Sequence, residues 1–425
     1  MIQKNSILLT LIISGFLGLA FSYSDIYFFH LVFSSWIVLS LYQFKQNSYK
    51  INIKLFSNLY IKAFLAIFSW YLLSLLWTPD LYLGLKYIFY LICGMGLVLS
   101  IIHYSKNIKY LNKIFKVLSI FVSIELCISL IESFTKFRMP ISSYSQLASF
   151  FGKDPINASE IAVSFIYGSF IPPTGFRWNT NDLAICMALS LPFFLNSKKT
   201  FLKIFGITSI ITIIVMAASR AAFLGVLLIF IFYFMFIKKR IGALLFIWAI
   251  MIVSFFGIQE LQESENPRIN EVANSTKAIS MYLKGDIDIG GSIEWRRELV
   301  QNGLLALKRT YGFGIGAGGT VANQLMIGPV AGQFTSMHNF WIELLVEGGI
   351  VVALIMSLWL IAVTYNLFLI SKQSTNEDLV YYGKSLFLSY IGFFPAAIAA
   401  SSTIYFLPMW IMFGFSTSVI LLSKA

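Results

Sequence analysis

The chain is dominated by apolar runs that are each long enough to cross a membrane as a helix, which takes about 20 mostly apolar residues. Hydrophobic residues make up 58% of the sequence and charged residues only 12%, against about 25% charged in soluble domains. This pattern predicts an all-α polytopic membrane protein with about twelve transmembrane helices. The predicted spans lie near 6–23, 26–43, 59–77, 82–103, 114–134, 180–196, 201–218, 220–237, 241–258, 346–371, 383–399 and 402–421.

Lysine and arginine are concentrated in alternate short loops, and this asymmetry predicts the orientation of the spans. With the N-terminus in the cytoplasm, the inner loops carry the basic groups near 45–54, 106–113, 198–199 and 238–240. The outer connections carry no excess of positive charge. The net charge of +12 is then explained by topology and by contact with membrane lipids, so no nucleic-acid partner is expected.

This orientation divides the chain into three regions. Residues 1–258 hold spans one to nine, with a polar outer segment near 135–179. Residues 259–345 form one large extracytoplasmic loop that includes an amphipathic helix and the candidate site residues. Residues 346–425 hold spans ten to twelve.

His338 is the strongest candidate for chemistry because it closes the long polar loop at its junction with span ten. A histidine there can reach both a lipid-held donor and a water-borne acceptor, and it exchanges a proton near neutral pH. Asn339 and Glu343 follow it and are both candidates for orienting the imidazole. The alternative is structural, with His338 only capping the helix that follows.

Four arginines are predicted on the outer side of the membrane, where their planar guanidinium groups suit phosphate oxygens. Arg220 lies in a very short turn between spans seven and eight, and Arg177 lies at the outer end of span six. Arg296 and Arg297 flank the apolar stripe of a predicted amphipathic helix, 292–307. That stripe consists of Ile293, Val300, Leu304 and Leu307. The alternative roles are a membrane anchor for the first two arginines and a solvated face for the last two.

The remaining features predict less. The glycine-rich run 312–319 lacks the Lys-Ser/Thr ending of a phosphate loop and predicts only a tight or closely packed turn. No cluster of His, Cys and Asp residues has metal-ligand spacing, so neither a metal nor a cofactor is expected. Lys86 and Glu132 lie near the outer ends of adjacent spans and could pair, whereas the deeper Glu125 has no partner that the sequence identifies.

Three motifs occur in a fixed order along the chain. They are Ser-Arg-Ala at 219–221, then Arg296 ahead of Phe-Gly-Ile-Gly at 313–316, and finally His-Asn-Phe at 338–340 leading to Glu-Gly-Gly at 347–349. A fourth, less specific motif runs from Gly175 through Asn181-Asp182-Leu183-Ala184. Together with the predicted spans and the long outer loop, they resemble the O-antigen ligase/polymerase family of bacterial envelope glycan enzymes over most of the chain.

The resemblance implies a membrane glycosyltransferase fold of the C type, acting without a metal at the outer face of the bacterial inner membrane. It implies glycans on undecaprenyl pyrophosphate as donors. His338 would be the base, and Arg220 and Arg296 would hold the pyrophosphate, with the choice between Arg296 and its neighbour left open. Further candidates for substrate binding are Arg177, Arg297, Asn339 and Glu343.

Three functions are compatible with these residues. A repeat-unit polymerase for O-antigen or capsule uses a lipid-linked acceptor and can work with a chain-length regulator, whereas a ligase uses lipid A-core as the acceptor. The polymerase is favoured because polymerases occur in more kinds of bacteria. A transporter of the same glycans should show internal repeats and paired broken helices. The sequence shows no internal repeat, which favours an enzyme.

The predicted topology can be tested with single introduced cysteines. A cysteine in place of Ser275, in the long loop, should react with an impermeant thiol reagent in intact cells once any outer membrane is permeabilised. A cysteine in place of Arg240 should react only after the inner membrane is opened, and the parent chain measures the background. Protection at 275 with labelling at 240 would reverse the orientation.

Overall fold

The computed structural model of the chain is mostly helical and describes residues 2–45, 58–155, 171–240, 292–328, 330, 335–400 and 404–424. Its α-helices are, in chain order, α1 (Ile2–Leu17), α2 (Phe28–Lys45), α3 (Leu59–Ser74), α4 (Leu81–Tyr104), α5 (Ile108–Phe134), α6 (Thr180–Leu195), α7 (Thr200–Met216), α8 (Arg220–Phe232), α9 (Ser292–Arg309), α10 (Gly319–Ile327), α11 (Phe340–Gln373), α12 (Glu377–Ala396) and α13 (Leu407–Ser423). Shorter elements are 3-10 helices at Gly18–Phe21, Gln146–Phe151 and Ala397–Ala399, a π-helix at Tyr233–Ile237, and an antiparallel hairpin of β1 (Ser22–Tyr23) and β2 (Ile26–Tyr27).

The predicted spans coincide with helices wherever the structure describes them. Eleven of the twelve overlap an α-helix, and the ninth, 241–258, lies outside the described residues, as does the stretch 259–291 of the predicted outer loop. Within the described ranges, four helices are long and apolar enough to cross a membrane: α4, α5, α11 and Arg220–Ile237. These helices fit a polytopic membrane protein, and the total of twelve crossings stays a prediction.

Apolar side chains cover the outside of the helices as well as their core. On α11, four side chains at helical spacing are each between 58% and 65% exposed: Leu354, Leu358, Ile361 and Tyr365. A continuous exposed stripe of this kind would be unfavourable in water but matches the hydrocarbon of a bilayer. The buried face of the same helix includes Val352, Met356, Trp359, Val363 and Leu367.

The buried face of α11 packs against α3, α9, α12 and α13 in the interior of the bundle. The ring of its Trp359 lies 4.8 Å from Phe64 of α3 and 4.8 Å from Phe413 of α13, measured between ring centroids. The Trp359 indole N–H donates to the Tyr60 carbonyl at 3.1 Å, which satisfies its buried donor. Elsewhere in the bundle, α12 packs against α6 and α8, and α13 packs against α4.

A buried ion pair joins α5 to the segment that precedes α6. Arg177 Nε and Nη2 lie 3.0 Å and 3.1 Å from the two carboxylate oxygens of Glu125, and Nη1 donates to the Phe16 carbonyl at 2.8 Å. Glu125 is fully buried and Arg177 is 3% exposed. The guanidinium therefore holds three segments together, and it is the partner of Glu125 that the sequence did not identify.

The pairing of Lys86 with Glu132 was wrong. Lys86 Nζ lies 2.7 Å from Asp25, which belongs to the turn between β1 and β2. Glu132 is buried and accepts from backbone N–H groups of the outer segment at 2.7–2.8 Å, those of Met139, Thr174 and Gly175. A buried carboxylate needs partners, but the charge pattern cannot show that backbone donors supply them.

We expect Arg177→Met to lower the unfolding temperature clearly, because it leaves the Glu125 charge buried without its partner, at a cost of about 3–5 kcal/mol. The double variant Glu125→Leu with Arg177→Met should recover much of this loss, since both charges are gone. The measurement is the fraction of monodisperse protein after heating. Lys198→Met, which breaks the exposed pair with Glu377, is the control and should change little.

The double variant also separates two roles of Arg177. A stable but inactive double variant would show that the Glu125–Arg177 pair is needed for activity as well as for the fold. A double variant as unstable as Arg177→Met would instead show that charge burial does not explain the loss.

Candidate functional site

The site is built around a break in α11. Gly349 has φ 71° and ψ −175°, so a first segment ends at Gly348 and the long apolar helix resumes at Ile350. The break frees backbone groups that would otherwise pair inside the helix, and buried groups of this kind need partners. The glycine segment, 312–319, supplies them through Ile315 N–H to Val346 O (2.8 Å), Gly316 N–H to Glu347 O (3.1 Å) and Ile350 N–H to Gly312 O (2.9 Å).

The two backbones approach so closely that only glycine fits at the contact. A Cβ atom at Gly314 would lie 2.4 Å from the Glu347 carbonyl oxygen, and one at Gly349 would lie 2.3 Å from the Phe313 carbonyl oxygen. The closely packed turn predicted for the glycine segment is therefore confirmed. On the other side of the glycine segment, Trp77 Nε1 donates a hydrogen bond to Gly314 O at 3.0 Å.

Glu347 reinforces this contact from inside the bundle. It is fully buried, and its Oε1 accepts from the Thr320 hydroxyl at 2.6 Å and from the Thr320 N–H at 3.4 Å. Thr320 lies in the first turn of α10, so the carboxylate caps the positive end of that helix. In the sequence, Glu347 was identified only as part of a motif, and its role in capping α10 was missed. The available signal was an acid directly before Gly348 and Gly349 in an apolar span.

α9 places its two arginines on different faces. Leu299, Gly303 and Ala306 form the buried face, and Arg296 precedes them at helical spacing, so it lies on that face and is half-buried. Arg297 is exposed. A helix covers the predicted amphipathic stretch, but its most buried residues differ from the predicted stripe, of which Val300 and Leu307 are half-buried and Leu304 is exposed.

The shift of the stripe has a packing cause. Leu304, which was predicted to be buried, is 42% exposed, whereas Met337 packs onto Gly303. A Cβ atom at Gly303 would lie 2.3 Å from the Met337 methyl carbon. This contact belongs to a small second core that ties α9 to the residue before His338, made of Leu299, Ala306, Ile315, Val330, Met337 and Val346.

His338 is held in an uncommon backbone conformation. Its φ is 47°, in the left-handed region, which costs a residue other than glycine about 1–3 kcal/mol and is found preferentially at functional sites. Asn339 is the residue that caps α11, because its Oδ1 accepts from Trp341 N–H at 3.1 Å and from Ile342 N–H at 3.3 Å. The alternative in which His338 serves as the cap is therefore wrong.

The surroundings of His338 keep its imidazole neutral. Burial, and then the positive charge of Arg296, lower the pKa of His338 to about 4. The pKa of Arg296 is itself lowered, first by burial and then by the positive charge of Arg220. The charge of Arg220 thus acts on Arg296, and the charge of Arg296 acts on His338. We call these three residues the arginine–histidine cluster.

Arg220 enters the cluster from a tight turn. It is the first residue of α8 and is exposed, and Ala218 just before it has φ 51°. Only Ala217, Ala218 and Ser219 separate it from the end of α7 at Met216. The very short turn predicted there is confirmed, and it places a cation at a helix end beside α9.

The other candidates lie in different surroundings. Arg177 is held by Glu125 and the Phe16 carbonyl, and the Asn339 side chain caps α11. Glu343 is 2% exposed, one turn after Asn339. Among the residues that the structure describes, no group of three His, Cys, Asp or Glu side chains could hold a metal ion.

Residues 204–357 match the family model described as O-Antigen ligase. The match supports the O-antigen ligase/polymerase family. It agrees with the family that the motifs indicated, and the matched stretch, about a third of the chain, contains the whole arginine–histidine cluster. The family indicates a glycosyltransferase-type membrane enzyme with lipid-linked glycan substrates. No curated protein matches the chain.

Proposed function

We propose that the protein transfers a glycan from undecaprenyl pyrophosphate to a sugar hydroxyl at the outer face of the bacterial inner membrane. We further propose that it is a repeat-unit polymerase for O-antigen or capsule. The arginine–histidine cluster carries this proposal, because it combines two cations with one neutral base at a helix end. A pyrophosphate leaving group requires the cations, and an acceptor hydroxyl requires the base.

The two arginines suit the pyrophosphate. Arg220 and Arg296 are close enough for the charge of one to lower the pKa of the other. Like charges at this range raise the free energy of the cluster, and an anion bound between them lowers it. Guanidinium groups bind phosphate oxygens bidentately, and here they would stabilise the charge that develops as the bond to the sugar breaks.

His338 suits the acceptor. In the proposed reaction the acceptor oxygen attacks the anomeric carbon on the face opposite the pyrophosphate, so the configuration inverts. The bond between that carbon and the pyrophosphate oxygen breaks, and the hydroxyl proton passes to the neutral imidazole. Because the two arginines supply positive charge to the leaving group, we propose that the reaction proceeds without a metal ion.

The remaining candidates take supporting roles in this proposal. Arg297 is exposed beside the cluster and would contact the glycan. The side chains of Arg177 and Asn339 hold protein groups, so they would act on the substrate by positioning the segments around it. Glu343 is the better candidate to orient the imidazole of His338, because the side-chain oxygen Oδ1 of Asn339 is engaged in capping α11.

The base role predicts a loss of about 10²–10⁴-fold in transfer rate for His338→Ala and equally for His338→Gln, which cannot accept the proton. The assay uses purified protein in lipid nanodiscs with an undecaprenyl-pyrophosphate-linked repeat unit, and products are measured by mass spectrometry. His103→Gln makes the same change near the C-terminus of α4 and should leave the rate unchanged.

Several outcomes of this assay are informative. Full activity of His338→Gln would remove the base from the mechanism, and loss of activity with a chelator would remove its metal independence. Transfer to lipid A-core in place of a lipid-linked repeat unit would identify a ligase. Movement of the lipid-linked glycan across the bilayer of sealed proteoliposomes by His338→Ala, with no new glycosidic bond, would identify a transporter.

The clamp role predicts that Arg220→Lys lowers the rate sharply, because lysine keeps the charge but loses the bidentate guanidinium. Arg240→Lys, at an exposed position outside the cluster, is the matched control. Arg296→Ala should be more damaging than Arg297→Ala, since only Arg296 lies on the buried face of α9. Wild-type rates for Arg220→Lys and Arg296→Ala at equal protein levels would exclude the clamp.

The pKa of His338 predicts the pH dependence of transfer. Because this pKa is lowered to about 4, the imidazole stays neutral from pH 8 down to about pH 5. The value of kcat/KM should therefore remain level over that range and fall only as the pH approaches 4. An ordinary histidine would lose half its activity near pH 6.5. Size-exclusion profiles at each pH would separate protonation from unfolding, and a midpoint near 6.5 in folded protein would contradict the buried base.

A further inference from the structure

A large cavity opens near the C-terminal end of α11 and extends into the bundle, where Phe16 and Cys186 also line it. After its break at Gly349, α11 runs from Ile350 about 36 Å, at 1.5 Å per residue, to Gln373. The next residue, Ser374, lines the cavity. The cavity volume is about 1320 Å³, whereas pockets for drug-sized ligands occupy about 300–1,000 Å³. Its size suits a larger ligand than a single sugar, and its position makes it separate from the arginine–histidine cluster.

The mouth of the cavity is positively charged. Two acidic residues line it, Glu377 and Asp378, and Glu377 lies 2.6 Å from Lys198. Six lysines line it in the described part of the chain: Lys116, Lys198, Lys199, Lys203, Lys238 and Lys384. Basic groups thus outnumber acidic groups, and the mouth is complementary to an anion.

The start of α7 adds to this positive potential. Lys199 is the N-cap residue of α7, and its side chain makes no capping hydrogen bond. The first N–H groups of a helix carry partial positive charge and favour phosphate oxygens. Lys199, Leu202 and Lys203 of this turn all line the cavity.

The interior of the cavity is apolar in effect. Its walls carry aliphatic and aromatic side chains such as Leu118, Val122 and Phe415. Several serines also line it, but their hydroxyls donate to backbone carbonyls at 2.7–2.8 Å; they are Ser119, Ser123, Ser190 and Ser389. Because their protons are engaged, these hydroxyls offer a sugar acceptor oxygens but no donors, whereas a hydrocarbon chain needs neither.

Exposed apolar side chains lie beside the cavity. Leu202 lines it and is 41% exposed, and the neighbouring Phe201 is 76% exposed. An exposed apolar surface of this kind suits contact with acyl chains of the membrane.

We propose that this cavity binds one anionic phospholipid of the membrane, with its phosphate at the lysine-lined mouth and its acyl chains in the apolar interior. The charge of the mouth distinguishes this ligand from a neutral lipid. The engaged serine hydroxyls distinguish it from a glycan. The site is distinct from the arginine–histidine cluster and does not rest on the proposed function.

The first test uses the unmodified full chain. Protein in nanodiscs that contain equal amounts of phosphatidylglycerol and phosphatidylcholine is transferred to detergent, and retained lipid is measured by native mass spectrometry. Several lysines near one anionic lipid together predict an enrichment of phosphatidylglycerol of about tenfold or more. Equal retention of the two lipids would overturn the proposal.

The second test uses matched variants. Lys199→Ala with Lys203→Ala and Lys384→Ala should abolish the enrichment. Lys106→Ala with Lys109→Ala and Lys113→Ala removes the same charge just before α5 and in its first two turns, outside the cavity lining, and should preserve the enrichment. Ser190→Phe should lower retention by filling the interior. Equal loss in both lysine variants would assign the effect to general surface charge and overturn the site.

A third arm identifies the source of the phosphate. Excess undecaprenyl phosphate or inorganic phosphate is added before the transfer to detergent. Continued retention of phosphatidylglycerol supports the phospholipid, and its complete displacement by either competitor overturns it. If the lysine variant does not fold, the first and third arms still decide, because they need only the wild-type chain.

Discussion

A helix that breaks inside a protein leaves backbone N–H and C=O groups that must find other partners, and in this chain the constraint falls at Gly349. The break separates a short segment, which carries the cap at Asn339, from the long apolar part of α11. The glycine segment accepts and donates the hydrogen bonds that the break releases. Because side chains other than hydrogen would clash at Gly314 and Gly349, both stretches must be glycine-rich together.

This contact positions the residues of the site from both sides. Trp77, three residues after the end of α3, donates a hydrogen bond to the glycine segment, and Glu347 caps the helix α10 that follows this segment. α9 joins the same assembly through Met337, which packs on Gly303. His338 is adjacent to Met337, so its backbone conformation and its distance from α9 are set by packing on two elements at once.

Two groups of charges in the protein differ in their balance. Glu125 and Arg177 are buried and neutralise each other, and the guanidinium also satisfies the Phe16 carbonyl. The arginine–histidine cluster instead brings like charges together, and burial, followed by the charge of Arg296, lowers the pKa of His338. In the first arrangement each charge has its partner within the protein. In the second the positive charges are not balanced within the cluster, which is the arrangement that the proposed binding of an anion requires.

Two predictions failed because the partner of a residue was not visible in the types of side chain along the sequence. Lys86 and Glu132 are close in the sequence pattern of adjacent spans, but Glu132 is satisfied by backbone N–H groups that carry no signature in the residue type. The stripe of α9 was placed by counting apolar residues. Its actual buried face includes Gly303, because a residue without a side chain leaves the space that Met337 fills.

The sequence by itself determined the helices, since the length and polarity of each apolar run decide whether the chain can satisfy its backbone in lipid. It also identified His338, Arg220 and Arg296 as candidates, because a few polar residues in fixed motifs are conspicuous in an apolar chain. Only the tertiary structure decided that Arg296 faces the cluster while Arg297 does not, that Asn339 is the cap, and that Glu125 belongs to Arg177. Those outcomes depend on contacts between residues far apart in the chain, where packing and burial select one partner among several that composition and spacing allow equally.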